Sequence, residues 1–171
     1  VGGAEKQLKY ISEFLDQRGL DVHYVYLNRG EKKVAEKNIS LHPIYYSPLT
    51  KSRFGKLWFL YFFNIKALIL RLKPNVIITR TNSSWAGICS ILAKNYGIKH
   101  YHFIAHDNDA NLKLLNISKF KIFDRIEKKI TLKLFKNNSK IITQNDYQKK
   151  QLKLNFGISS KKFTQAIKLS N

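Results

Sequence analysis

The stretch PNVIITRTNSSWAGICSILAKNYGIKHYHFIAH, residues 74 to 106, holds the pattern that decides the fold. Asn75 to Thr79 is a short Val/Ile run typical of a buried parallel strand, and Lys99 to Ala105 is a second strand. Between them, Trp85 to Tyr96 is helical and is followed by Gly97, a residue that commonly terminates helices. This order predicts two parallel strands joined by a crossover helix.

The same alternation continues on both sides of this stretch. Further helices are predicted at Gly3 to Gly19, Phe54 to Lys73, Ser118 to Lys136 and Asp146 to Phe156. Further strands are predicted at Asp21 to Leu27, Ile39 to Tyr46, Lys140 to Thr143 and Phe163 to Leu169. The pattern predicts an α/β fold, a doubly wound, mostly parallel, Rossmann-like sheet with helices on both faces. Ligands of such sheets bind at the carboxyl ends of the strands.

Several details make narrower predictions. Pro43 cannot donate a ladder hydrogen bond, so the strand that begins at Ile39 is expected at a sheet edge. Residues 106 to 109, His-Asp-Asn-Asp, are expected to form a polar turn, and Asp146 is expected to cap the helix that follows it. The helix that begins at Ser118 is expected to bury one apolar stripe, made of Phe123, Ile126, Ile130 and Leu134.

Length and composition limit the class of protein. A chain of 171 residues with 44% hydrophobic content suffices for one ordinary α/β domain and not for two. An aromatic content of 13% excludes a disordered basic tail. With 31 Lys and Arg against 11 Asp and Glu, the net charge of +20 attracts nucleic acids, anionic lipids and phosphorylated ligands. Cys89 is the only cysteine, which fits a reducing compartment such as the cytoplasm.

Neither a signal peptide nor a membrane span is expected. The opening Val1-Gly2-Gly3 has no charged or apolar leader and resembles the beginning of a fragment. The most apolar segment, Phe54 to Lys73, contains Lys56, Lys66 and Arg71. Its longest apolar run, Leu57 to Phe63, is far shorter than the roughly 20 residues that a spanning helix needs.

Three groups of residues occupy positions where this fold places ligands. Gly2-Gly3-Ala4-Glu5 leads into the first helix, and its glycines allow backbone N–H groups to approach a pyrophosphate. His106-Asp107 follows a strand, and a histidine there can hydrogen-bond sugar hydroxyls. In Lys140 to Gln148, Gln144 and Asn145 follow the strand and are expected to face the cleft. Each group also has a plainer interpretation, as a chain end, a loop histidine or a well-capped helix.

The order of these motifs resembles the amino-terminal, acceptor-side domain of the GT-B glycosyltransferases of retaining family 4. That family has a Gly-Gly-x-Glu turn before its first helix, a His-Asp pair after a central strand, and a later strand–turn–helix like that of Lys140 to Gln148. Pro74 to Thr81 and the closing strand match it as well. The resemblance implies a retaining glycosyltransferase whose donor substrate is a nucleotide-diphosphate sugar and which uses no cofactor.

The resemblance also implies roles for individual residues. They are His106 and Asp107 in catalysis, Gly2, Gly3 and Glu5 at the donor diphosphate, and Thr79, Arg80, Thr81, Gln144 and Asn145 in the acceptor cleft. No metal is expected, because such enzymes let helix dipoles and basic groups neutralise the leaving diphosphate. Asp107-Asn108-Asp109 has the outline of a metal-binding turn, but its attachment to His106 favours the cleft interpretation.

Two departures from the family pattern define the expected domain. Family members have a strand before the glycine turn, and this sequence begins without one. The second domain, with its nucleotide-sugar site, is also absent. Residues 1 to 171 are therefore expected to be an acceptor-side domain that lacks its first strand and its donor domain, and to be inactive alone.

Basic and aromatic side chains are concentrated on two helices, Ser118 to Lys136 and Phe54 to Lys73. Such a mixture suits the boundary between lipid headgroups and acyl chains, although an aromatic helix can instead pack on the sheet. The residues expected to face the membrane are Lys56, Trp58, Lys121, Arg125 and Lys129. The family resemblance then implies a lipid-linked or saccharide acceptor, cell-surface polysaccharide or glycolipid synthesis, and a cytoplasmic enzyme peripheral to the anionic inner face of the plasma membrane.

Two other classes of protein remain open. A nucleic-acid-binding domain is favoured by the charge alone, since no recognition motif is present and the strands are expected to lie beneath helices. A non-enzymatic nucleotide-binding or scaffold domain would have the same fold. No nucleic-acid partner is expected.

Overall fold

The computed structural model describes residues 3–28, 38–45, 59–111 and 122–163, with side chains described except at 3–7, 59, 60, 122–128 and 137. The chain divides into two compact units, Val1–Asn64 and Ile65–Asn171. Each unit is described by itself.

The first unit contains one helix and two parallel strands among its described residues. Helix α1 covers Gly3–Gln17, and strands β1 and β2 cover Val22–Asn28 and Ile39–Tyr45. Gly19, with a φ of 74°, ends the first helix as predicted. Strand β2 pairs only with β1 in the described chain, so the edge position predicted from Pro43 is confirmed.

The second unit continues the alternation that the sequence predicts. Its elements are α2 (Phe59–Leu72, which begins in the first unit), β3 (Val76–Arg80), α3 (Ser84–Asn95), β4 (Lys99–Phe103), α4 (Asp107–Ala110), α5 (Ile122–Asn138), β5 (Lys140–Thr143), α6 (Asp146–Phe156) and β6 (Ser160–Lys162). The last four strands form a parallel sheet in the order β3-β4-β5-β6. Parallel sheets with alternating helices confirm the α/β, Rossmann-like class.

The last predicted strand, Phe163 to Leu169, is tested only at its first residue, which is not in a strand. Strand β6 covers Ser160–Lys162, and Phe163 follows it, with its N–H donating to the Thr143 carbonyl at 2.8 Å. Residues 164–169 of the prediction lie outside the described chain, as do 54–58 and 118–121 of two predicted helices. Because β6 has the sequence Ser-Lys-Lys, it carries no apolar pattern that a sequence reading could detect.

The buried face of α5 also differs from the predicted stripe. Ile130 is 52% exposed, whereas Leu132 and Phe135 are fully buried. Leu134 of the predicted stripe is half-buried and faces α3, where a Cβ added at Gly87 would lie 3.3 Å from its Cδ1. The side chains of Phe123 and Ile126 lie outside the described residues. The core around this contact contains Ala86, Ile104, Ala110, Leu132, Phe135, Ile141, Leu152 and Ile158. None of the described helices combines the length and apolarity required to cross a membrane.

One face of the second sheet is buried and the other is partly open. His100 and His102 of β4 are buried, while Tyr101 and Phe103, which point the opposite way, are half-buried. Strand β5 has the same alternation, with Thr143 buried. Helix α3 packs on β3 and β4, α6 packs on β5 and β6, and α5 contacts both of these helices. Phe135 of α5 stacks on His102 of the buried face.

A chain of hydrogen bonds runs between this face and the helices. Thr79 Oγ1 lies 2.8 Å from both His100 Nε2 and His102 Nδ1. His100 Nδ1 lies 2.6 Å from Ser139 Oγ, which lies 2.8 Å from Ser90 Oγ. The Ser90 hydroxyl donates to the Leu134 carbonyl at 3.4 Å. These hydrogen bonds therefore connect strands β3 and β4 to helices α3 and α5, and to Ser139, which follows α5.

The acceptor-only carbonyl at one end fixes the direction of the whole chain. Since Ser90 donates to Leu134, it accepts from Ser139, which in turn accepts from His100 Nδ1–H. The unprotonated His100 Nε2 then accepts a hydrogen bond from the Thr79 hydroxyl. The oxygen of that hydroxyl accepts from His102 Nδ1–H. Each neutral imidazole is thereby restricted to one tautomer. We name this set the buried histidine chain.

Both imidazoles are held neutral by burial. Burial lowers the pKa of His100 to about 4. Burial, with smaller contributions from His100 and Arg80, holds the pKa of His102 well below its ordinary value. The His102 ring stacks on Phe135 with centroids 4.1 Å apart, and its buried Nε2 has no hydrogen-bond partner in the described chain.

Acid should destabilise the second unit through these histidines. Because their pKa values are lower in the folded state, stability is complete above the unfolded pKa of about 6.5 and decreases as the pH falls toward the folded value. From the folded pKa of about 4, His100 alone should contribute a loss of about 2 kcal/mol between pH 7.5 and pH 5. Urea unfolding at the two pH values measures this difference.

The variant His100→Gln removes the titrating group and should reduce the acid-induced loss by about this amount. The control Ser90→Ala removes a hydroxyl from the same chain and should lower stability equally at both pH values. An unchanged pH dependence in His100→Gln would show that the histidine does not cause the acid sensitivity.

The Thr79 hydroxyl should be essential to the stability of the buried histidine chain. Thr79→Val leaves His100 Nε2 and His102 Nδ1–H without their partner and should cost about 2 kcal/mol or more at neutral pH. Thr79→Ser keeps the hydroxyl and should remain within about 1 kcal/mol of the original protein. Equal urea midpoints for the two variants would contradict this role.

Candidate functional site

Three predicted site segments meet at the carboxyl edge of the second sheet. The register pairs Arg80 with Phe103, and Phe103 with Ile142, so β3, β4 and β5 end side by side. Backbone bonds extend the alignment past the strand ends, from Thr81 N–H to the Phe103 carbonyl and from Ile104 N–H to the Ile142 carbonyl. The residues that follow these strands therefore lie along one edge of the sheet.

His106 and Asp107 do not form the predicted polar turn. Residues 107–110 form the short helix α4, with His106 in extended conformation as its N-cap. The His106 N–H donates to Asp109 Oδ2 at 3.3 Å, and the Asp109 N–H donates to the His106 carbonyl at 2.9 Å. These reciprocal bonds satisfy groups that a helix start leaves unpaired and convert the expected turn into a helix. The His106 side chain is exposed.

The Asp107 carboxylate is held by two amides from the start of α6. Its Oδ1 accepts from Gln148 Nε2 at 3.0 Å and from Asn145 Nδ2 at 3.3 Å. At the far end of α4, Asn111 Nδ2 donates to the Tyr147 hydroxyl at 2.8 Å. The two helices are thus joined by polar contacts at both ends of α4.

Gln144 and Asn145 were both predicted to face the cleft. Their side chains form hydrogen bonds with different parts of the structure. Gln144 Nε2 donates to the Ile104 carbonyl at 2.8 Å and to the Ala105 carbonyl at 3.3 Å. Asn145 is the N-cap of α6, and its Oδ1 accepts from Gln148 N–H at 2.8 Å. The prediction that Asp146 is the cap is therefore wrong, because Asp146 is already the first helical residue.

Arg80 brings a cation to the same edge. Its half-buried side chain has a buried Nε with no hydrogen-bond partner among the described residues. Burial lowers the pKa of Arg80, and the nearby Asp109 partly opposes that shift. Thr81, the next residue, has a φ of 71°, a left-handed conformation that is uncommon for a branched residue. A guanidinium in this position can bind an anionic group.

Thr79 lies one residue before Arg80 and points the other way. Its hydroxyl belongs to the buried histidine chain and meets His100 and His102. The two neighbours therefore differ in environment because successive strand residues face opposite sides of the sheet.

The remaining predicted residues lie elsewhere or outside the described chain. Gly3 begins α1 in the first unit, and Lys129 is exposed on α5. Outside the described residues are Gly2, Lys56, Trp58 and Lys121, together with the side chains of Glu5 and Arg125. In the described ranges, no three His, Cys, Asp or Glu side chains converge in a way that could hold a metal ion.

Gln148 was not predicted from the sequence as a site residue. This side chain is 2% exposed and bonds to Asp107 and to the Gln144 N–H. The signal was present, because Asn145-x-x-Gln148 has the spacing of a capping box, in which N-cap and N3 side chains bond reciprocally near the helix start. Such a signature predicts the helix start and does not reveal the contact across to Asp107.

The edge therefore combines an exposed imidazole, a carboxylate oriented by amides and a partly buried guanidinium, groups that can bind hydroxyls and anions. No curated protein matches the chain. The family model described as Glycosyltransferase Family 4 matches residues 1–165. The parallel sheets with alternating helices agree with this match, and the chain belongs to glycosyltransferase family 4.

Proposed function

We propose that this chain is the acceptor-side part of a retaining enzyme that transfers a sugar from a nucleotide-diphosphate sugar to a lipid-linked acceptor. The observation that carries the proposal is the convergence of His106 and Asp107 with Asn145 at one strand edge. An exposed imidazole at such an edge can hydrogen-bond an acceptor hydroxyl and orient it toward the sugar. The donor itself would be held mainly by a second domain.

The acceptor is proposed to carry a phosphate or pyrophosphate. Arg80 supports this, because its side chain is half-buried and its buried Nε lacks a hydrogen-bond partner in the described chain. A phosphate oxygen would supply the missing acceptor and a full opposite charge. Gly2 and Gly3 are proposed to contact the donor diphosphate through their backbone N–H groups.

Membrane association at the cytoplasmic face is proposed from two helices. On α2, Phe63 is 72% exposed and Leu70 is 48% exposed, seven residues apart and therefore on similar sides of the helix. Arg71 is exposed beside them. On α5, Lys129, Lys133 and Lys136 are exposed. At about 1 kcal/mol for each cation near an anionic leaflet, four to six such groups suffice for reversible docking.

His106 should be needed for transfer and not for folding. In the full-length protein, His106→Ala should lower the transfer rate by about 100-fold or more, the usual contribution of a group that orients or exchanges a proton. Radiolabelled UDP-glucose, UDP-galactose, UDP-N-acetylglucosamine and GDP-mannose serve as donors, and total membrane lipid extract serves as acceptor. Label in the lipid phase is the measurement.

The matched control is His23→Ala, which removes a histidine of the first unit and should retain the original rate. Full activity of His106→Ala would remove this residue from the mechanism. Absence of transfer to lipid from every donor by the original protein would contradict the lipid-acceptor proposal.

The exposed apolar side chains of α2 should bind membranes. Phe63→Gln combined with Leu70→Gln should weaken co-sedimentation with phosphatidylglycerol-containing liposomes by about tenfold or more, because each side chain loses apolar burial. Leu154→Gln changes a residue of α6 that is 69% exposed and is the control, with unchanged binding expected.

Raised salt should weaken liposome binding, and neutral liposomes should bind less. Added duplex DNA should not displace the protein. Displacement by DNA, or equal binding by all variants, would contradict the proposed membrane surface and favour a nucleic-acid or soluble partner.

A further inference from the structure

Gln148 is a buried amide with every polar atom of its side chain engaged. Its side chain is 2% exposed, at the third helical position of α6. Its Oε1 accepts from the Gln144 N–H at 2.9 Å, and its Nε2 donates to Asp107 Oδ1 at 3.0 Å. Burial without these bonds would be costly, so the amide is confined to this place.

The orientation of the amide is determined by its two partners. A backbone N–H can only donate, and an ionised carboxylate can only accept. If the amide were turned over, its NH₂ would face the Gln144 N–H and its oxygen would face Asp107. Both contacts would then be repulsive. Gln148 therefore acts as a directional link between the end of β5 and α4.

His106 lies between two segments that this link holds. Before it, the Ile104 and Ala105 carbonyls accept from Gln144 Nε2. After it, the Asp107 carboxylate accepts from Gln148 and Asn145. Gln148 also holds the backbone of Gln144 itself. The backbone on both sides of His106 is thus fixed to the start of α6, while the imidazole remains exposed.

We propose that Gln148 is a positioning residue for glycosyl transfer, which holds Asp107 and the His106 backbone where the imidazole can meet the acceptor hydroxyl. The proposal rests on the proposed function of His106. A displacement of about 1 Å at a reacting group can lower a rate by about 100-fold. The effect should appear in kcat more than in KM, because Gln148 is buried and would not touch the substrate.

The variant Gln148→Glu separates positioning from helix capping. A glutamate at this position retains the oxygen that accepts from Gln144 N–H, and it is as suitable as glutamine for a capping box. It is also favourable near a helix N-terminus. It cannot donate to Asp107 when ionised, and it places a second negative charge beside that carboxylate. The capping bond to the Gln144 N–H is kept while the link to α4 is broken.

In the full-length protein, Gln148→Glu should lower kcat by about tenfold or more at pH 8, with KM changed less than threefold, when both proteins are assayed well below their unfolding temperatures. The assay uses the radiolabelled nucleotide sugar that gives the highest transfer to lipid extract. As the pH falls, the introduced carboxyl becomes protonated and can donate again, so the ratio of variant to original kcat should rise. The matched control is Gln151→Glu, the same change on the same helix.

A second measurement is independent of turnover. Hydrogen–deuterium exchange of peptides covering residues 104–110 should increase in Gln148→Glu and remain unchanged in Gln151→Glu. A kcat for Gln148→Glu at pH 8 equal to that of the unsubstituted protein would overturn the inference. So would a loss that is equal at every pH and is accompanied by a lower unfolding temperature, since that is the behaviour of a helix cap.

The two proposals fail in different ways. Full activity of His106→Ala would contradict the proposed function of the site. If His106→Ala lowers the transfer rate strongly while Gln148→Glu keeps the kcat of the unsubstituted protein, only the role of Gln148 is contradicted.

Discussion

Parallel pairing of β3, β4 and β5 is the constraint on which the described site depends. Because the three strands run in one direction and in a register that aligns Arg80, Phe103 and Ile142, their last residues reach the same edge. Segments separated by dozens of residues in sequence then become neighbours without any long loop between them. An antiparallel strand at any of these positions would send its polar end to the opposite edge.

Polar side chains in the interior and polar side chains at the strand ends have different roles. Inside the fold, Thr79, His100 and Ser139 satisfy one another's hydrogen-bonding groups. Outside, α4 and α6 are joined by amides that leave the His106 ring accessible. The edge thus presents a few exposed groups on a backbone that is held by hydrogen bonds.

Much of the second unit could be predicted from the sequence because its apolar runs are separated by clear helix ends, as from Pro74 to His106. The strand ends also identified His106, Asp107 and Asn145 as neighbours. Strand alternation alone could not decide that Thr79 faces inward and Arg80 outward, since that depends on which face the helices cover. Helix α5 has apolar residues on more than one side, so its sequence alone could not show that Leu132 is buried and Ile130 is exposed. The contact of Gln148 with Asp107 joins two elements, and no local pattern encodes it.

The buried histidine chain has a consequence for how the second unit opens. Its members belong to β3, β4 and α3, and to Ser139 directly after α5, and each hydroxyl both donates and accepts. If the end of α5 frayed, Ser139 would leave His100 and Ser90 with unpaired polar groups in an apolar interior. The energetic cost of fraying therefore spreads into the sheet, and the sheet and these helices should open as one cooperative unit.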